Sequence, residues 1–136
     1  MSYEVIDHTA DVGIHAKGKD LDEAFQETAL GMFSIIADLD KVDAVGEFEI
    51  ELEADGWDNL LVDFLSELIF LFEVEDVVFS DFEVRLEEDE KKRLSCRAMG
   101  EKIDHEKHDF DTEIKAVSYH ELKVNTDGDI EVIFDI

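Results

Sequence analysis

The chain has 136 residues, with 38 aspartates and glutamates against 12 lysines and arginines and a formal net charge of −26. Such a field repels phosphate backbones and attracts cations and basic protein surfaces, so direct nucleic-acid binding is not expected. With 45% hydrophobic residues, no proline and no apolar run of membrane-spanning length, the sequence predicts one domain with an ample core and no membrane segment. The N-terminus runs straight into acidic residues with no secretory pattern, and a single cysteine excludes an internal disulfide framework and a Cys-based zinc site. A cytoplasmic location is therefore expected. Cys96 stands in the alternating run Leu94-Ser95-Cys96-Arg97-Ala98, which suits a small buried core residue better than a nucleophile.

In chain order, residues 3–7 and 12–16 predict two strand pieces interrupted around Thr9-Ala10. A helix follows. Asp20 stands at its N-cap with Glu23 three residues on, a capping-box spacing, and Leu21, Ala24, Phe25, Thr28, Ala29, Met32, Phe33 and Ile36 recur at threes and fours. Residues 47–53 alternate glutamate with Phe48, Ile50 and Leu52, the pattern of a strand with one wet face. A second helix begins near Asp58 and turns Leu60, Leu61, Phe64, Leu65, Leu68, Ile69 and Phe72 inward, while Val62 and Phe70 widen its apolar surface. Residues 77–86 and 93–103 form a predicted hairpin across the charged turn 87–92. After a polar loop over 104–111 come strands at 113–124 and 130–136, joined at Asp127-Gly128, a dipeptide suited to a tight turn. Helices set between antiparallel strands predict an α+β fold, mainly antiparallel sheet covered on one face by two amphipathic helices.

Several chemistries lack their residues. The seven glycines are scattered, so no phosphate loop or dinucleotide fingerprint is present. Asn125-Thr126-Asp127-Gly128-Asp129 has a glycine too early for a calcium loop and no glutamate at its twelfth position. Ser118 and His120 lie close in sequence but lack the surroundings of a nucleophilic serine. His105 and His108 share their loop with acidic residues, which admits a transition-metal site but suits a solvated loop better. The chain ends hold the more specific signal. If residues 7–15 are extended, Asp7, Thr9, Asp11 and His15 point to one face while Ala10, Val12 and Ile14 point to the core. Four strand residues span about 13 Å, so Asp7 and Asp11 cannot share one ion unless the chain turns between them. Asp11 is instead expected to meet Asp135 on a neighbouring strand, with the carboxylate of Ile136 as a third oxygen donor for a hard divalent cation.

Four segments in register carry a family resemblance. They are Asp7-His8-Thr9-Ala10-Asp11-Val12-Gly13 followed by Leu21-Asp22-Glu23-Ala24-Phe25, then Asn59 to Phe72, then Glu113 to His120, and the ending Val132-Ile133-Phe134-Asp135-Ile136. Together, and over essentially the whole chain, they resemble archease. The resemblance implies a small α+β protein that activates the RNA ligase joining tRNA exon halves, promoting the ligase's guanylylation and repeated turnover. It implies an accessory factor rather than an enzyme, and a metal site, described with calcium, at Asp11, Asp135 and Ile136. Asp7, His8, Lys115 and His120 are further candidates for contact with the partner or support of the ligands, although Asp7 and His8 suit turn capping as well. A stand-alone metal-dependent hydrolase and an acidic chaperone-like binding module are the alternatives.

Overall fold

Capping, helical periodicity and strand alternation resolve into β1 (Ser2–Asp7), β2 (Asp11–Lys17), α1 (Leu21–Ile36), a 3₁₀ turn (Leu39–Lys41), β3 (Gly46–Ala54), α2 (Trp57–Val74), β4 (Val77–Glu88), β5 (Lys92–Lys102), β6 (Ala116–Asn125) and β7 (Asp129–Asp135). The structure is a computed structural model that describes residues 1–7 and 11–136. The fold is α+β with antiparallel pairing, as expected. The strands nevertheless divide between two sheets, β1-β2-β7-β6 and β3-β5-β4. Alternation identifies a strand and its wet face, but pairing is set by registers between remote segments.

α1 begins where its cap predicts. Asp20 accepts a hydrogen bond from the Glu23 N–H at 2.9 Å, and the Glu23 carboxylate accepts one from the Lys19 N–H at 2.9 Å. A cap of this kind contributes about 1 kcal/mol. The helix buries more than one side. Its Gly31 lies against Ile14 and Tyr3 of the four-stranded sheet, while Phe33 meets Phe79 and Phe82 of β4 at ring separations of 5.5 and 5.8 Å. A Cβ on Gly31 would approach the Ile14 Cδ1 to 2.8 Å, so glycine there lets helix and sheet close together. α2 packs against both sheets as well, and Phe64 joins the same aromatic cluster through Phe25 and Phe82. The helices thus tie the two sheets into one core rather than covering a single sheet. Val62 belongs to the buried surface of α2, but Phe70 is half exposed, so the inward face stops short of it.

The hairpins follow the sequence closely, with one exception. β4 and β5 pair across the charged turn, and Cys96 is buried between Ile50 and Val84, where burial pushes its thiol up to about 12. The turn between β6 and β7 places Gly128 at φ +104°, with its N–H donating to the Asn125 carbonyl. β6 is not one regular strand. Between Ser118 and Lys123 it advances five positions while β7 moves only from Ile133 to Glu131. Three extra residues bulge out there, and Glu121 sits at φ +56°.

The loop after β5 is pinned by a buried histidine. His108 accepts the Asp104 N–H on Nδ1 at 2.9 Å, so its Nε2–H donates to Glu101 at 3.0 Å. Glu101 also accepts from Lys107 and from the Asp43 N–H, at 2.7 Å each. The Asp43 N–H, then the Lys107 ammonium and His108, hold its carboxyl well below the usual range, at about 2. His105 is exposed and rests on Phe110. The histidines of this loop therefore serve its structure. A depressed folded-state pKa contributes stability that is complete above about 4.5 and lost as pH falls toward 2. Glu101→Gln should destabilise the chain at neutral pH by roughly 1–3 kcal/mol. The gap from wild type in thermal midpoint should narrow between pH 4.5 and 2; a gap independent of pH would contradict the assignment.

Candidate metal centre

The four-stranded sheet turns Val12, Ile14 and Ala16 of β2 and Ile130, Val132 and Phe134 of β7 into the core. Strand alternation then sends Asp11, Gly13, His15 and Lys17, and Asp129, Glu131, Ile133 and Asp135, to the outer face. β2 and β7 are the two central strands of this sheet, and their register sets Asp11 directly opposite Asp135. Directly opposed residues have Cβ atoms about 4.5–5.5 Å apart and share a face. Two carboxylates thus meet at one end of the sheet, with Ile136 the next residue along the chain. Lys115 belongs to the same edge, since its N–H donates to the Asp135 carbonyl at 2.8 Å.

The electrostatics of this pair are unbalanced. Asp11 Oδ1 is buried, and among the described residues it has no hydrogen-bond partner. No lysine, arginine or histidine side chain forms an ion pair with Asp11 or Asp135 among the described residues, although exposed carboxylates elsewhere are commonly paired. A buried, unpaired carboxylate oxygen facing a like charge is costly unless a cation or donor reaches it. The donor set, carboxylate oxygens alone, fits a hard divalent cation. Among the described residues no three His, Cys, Asp or Glu side chains converge, so the side-chain contribution is two aspartates.

The remaining candidates separate. β1 and β2 run antiparallel with Asp7 opposite Val12, so Asp7 faces the helix side of the sheet and not the face of Asp11. The shared face expected for Asp7, Asp11 and His15 is thereby corrected, because the two aspartates sit on different strands of a hairpin. His8 and Thr9 lie outside the described residues. His15 shares the outer face with Asp11 but bonds Asp129 through Nε2 at 2.6 Å. Extending the opposed pair of Asp11 and Asp135 by four residues along each strand brings His15 opposite Glu131, with Asp129 diagonal to it, so this pair was accessible from the two sequence ends. His120 is exposed on the β6 bulge, where its N–H donates to Ser118 Oγ at 3.0 Å, and the neighbouring Tyr119 hydroxyl donates to Asn59 Oδ1 of α2 at 2.9 Å. Neither belongs to the opposed pair of aspartates.

Residues 3–136 match the model of the "Archease protein family (MTH1598/TM1083)". "Protein archease" of Pyrococcus abyssi is 42% identical over 123 residues, covering 90% of this chain and 87% of that protein. Its counterpart in Methanosarcina barkeri is 42% identical over 139 residues, covering 98% and 95%. The solution structure of protein 1598 from Methanobacterium thermoautotrophicum superimposes with a TM-score of 0.84 at 38% identity, over 99% of both chains. A crystal structure from Thermotoga maritima, described as an archease and possible chaperone, shares the fold with a TM-score of 0.54 at 19% identity, over 98% of this chain and 96% of that one.

Opposed like charges on a sheet cost roughly 0.2–1 kcal/mol. In chelator at low salt, Asp135→Asn should therefore raise stability by about that amount, read by urea unfolding. A loss of stability instead would mean that the pair is already compensated within the chain.

Proposed function

This chain belongs to the archease family, and from that premise we propose that it is a non-catalytic protein cofactor of the tRNA-splicing RNA ligase. It promotes guanylylation of the ligase and allows multiple turnover in exon ligation. The observation that carries this reading is the buried oxygen of Asp11, unpartnered among the described residues and directly opposite Asp135 at one end of the sheet. These two aspartates and the carboxylate of Ile136 would hold a divalent cation, with calcium suggested by the family resemblance. When bound, the cation supplies positive charge and open coordination positions for phosphate oxygens. The chain's own groups do the rest. Asp11 and Asp135 would fix the position of that charge on two central strands, and Lys115 and His120 would touch the partner around it. Asp7, on the other face, could support the same edge only from behind the sheet.

Docking is favoured by charge. A net charge of −26 complements a ligase whose surface must be basic to hold RNA, and disfavours RNA itself as the direct ligand. The described relative called a possible chaperone agrees with action on a protein partner.

Exon ligation with limiting ligase, in the presence and absence of this chain, tests the reading. Turnover and ligase guanylylation should rise with the wild-type chain. Asp11→Ala and Asp135→Ala should each reduce the stimulation roughly tenfold or more, with the folds unchanged by circular dichroism. Stimulation that survives both changes but falls with salt would favour the acidic binding module, and phosphoester turnover without ligase would favour the hydrolase.

A further inference from the structure

Gly13 is the residue of β2 that packing against the described residues does not explain. A glycine inside a strand weakens it relative to alanine. At Gly100, a Cβ would run into the Val78 carbonyl at 2.0 Å, so that glycine is required by its neighbours. A Cβ on Gly13 would meet the Val132 carbonyl at 3.4 Å and Ile133 and Ile6 at 3.8 Å, all ordinary contacts, and the φ of Gly13 lies outside the left-handed region.

The missing side chain leaves space on the outer face of the four-stranded sheet. The registers put Ile6, Gly13 and Ile133 in one cross-strand row, with Ser118 at its end. Ile6 and Ile133 stand on either side of the glycine, and the resulting hollow of about 310 Å³ is rimmed by Glu121, Lys123 and Glu131. Glu121 reaches it from the β6 bulge. The next row on one side is the opposed pair of Asp11 and Asp135, and the next row on the other holds Glu4, His15 and Glu131. Lys123 is engaged by Glu131 at 3.4 Å. Lys123 completes that second row, so an apolar floor one side chain wide lies between the acidic row of Asp11 and Asp135 and a mixed row in which His15 and Lys123 are engaged by Asp129 and Glu131. By contrast, all three arginines of the chain stand on the outer face of the other sheet, where Arg93 and Arg97 are ion-paired with Glu53 and with Glu47 and Glu83.

We propose that the hollow over Gly13 is a docking pocket for a protein segment that inserts one aliphatic or aromatic side chain flanked by lysine or arginine. This rests on the reading that the chain acts on a protein partner. The occupant follows from charge. A second copy of this chain would bring another −26 to the same face, whereas a basic segment meets the Asp11 and Asp135 row and the carboxylates of Glu4 and Glu121 while its apolar side chain covers Ile6 and Ile133.

The probe is a synthetic peptide with one leucine between lysines, titrated into the isotope-labelled chain by NMR, with an alanine-for-leucine peptide as control. Amide shifts should centre on Ile6, Gly13 and Ile133. Gly13→Leu, which fills the hollow, should weaken the leucine peptide at least tenfold, and Ile6→Ser on the exposed edge strand should weaken it severalfold. Shifts centred on β3 and β5, equal binding of the two peptides, undiminished binding by both variants, or self-association of the chain through this face would overturn the proposal. In the ligation assay, Gly13→Leu should raise the concentration needed for half-maximal stimulation and leave the plateau, whereas Asp11→Ala lowers the plateau. Absence of stimulation by the wild-type chain would sink the ligase reading alone, leaving the peptide titration to decide the pocket.

Discussion

The pairing of β2 with β7 is the constraint on which the rest depends. It joins segments from opposite ends of the chain as the two central strands of one sheet, so a long-range register fixes both the core and the outer face. In that register Val12, Ile14 and Ala16 share the inner side with Phe134, Val132 and Ile130. A slip of one residue by either strand would expose that strand's three apolar groups and bury its own outer residues, Asp11 and His15 on β2 or Asp129, Glu131 and Asp135 on β7. The apolar groups therefore hold the aspartates opposite one another against their mutual repulsion. The candidate centre is a by-product of core packing in the sense that no loop has to be ordered to bring its two side chains together.

The two sheets divide the acidic surface into unlike parts. On the three-stranded sheet, glutamates of β3 and β4 flank Arg93 and Arg97, so much of the charge is matched across strands. Exposed pairs of this kind contribute little individually. The four-stranded sheet has, among the described residues, fewer cations on its outer face, an unmatched aspartate pair at one end and an apolar row beside it. That contrast is why the proposed cation site and pocket both lie on one face. Helices α1 and α2, packed against both sheets, back that face from the core side.

Local signals were legible in the sequence and long-range ones were partly so. Asp20 and Glu23 announced α1 because a cap is a contact between near neighbours, and Glu47 to Glu53 announced a wet strand face by simple alternation. The opposition of Asp11 and Asp135 was accessible because both terminate apolar strands. Division into two sheets was not accessible, since β3 finds β5 through a register that no local pattern encodes. The β6 bulge left a trace that a uniform strand cannot accommodate. Val117 and Val124 both face the core across from Phe134 and Ile130, although their odd separation would put them on opposite faces of a regular strand. The shared face of Asp7 and Asp11 required one extended segment, and the antiparallel pairing of β1 with β2, with Asp7 opposite Val12, removes it.

The central claim is that Asp11 and Asp135 create a cation site at the end of the β2–β7 pair. Substoichiometric manganese added to the isotope-labelled chain tests it most directly, because paramagnetic broadening reports where the ion dwells. A site held by these carboxylates predicts that the amides of Val12, Phe134 and Ile136 broaden first, and that calcium restores them. Broadening spread over the glutamates of β3 and β4, with residues 12, 134 and 136 unaffected, would contradict it.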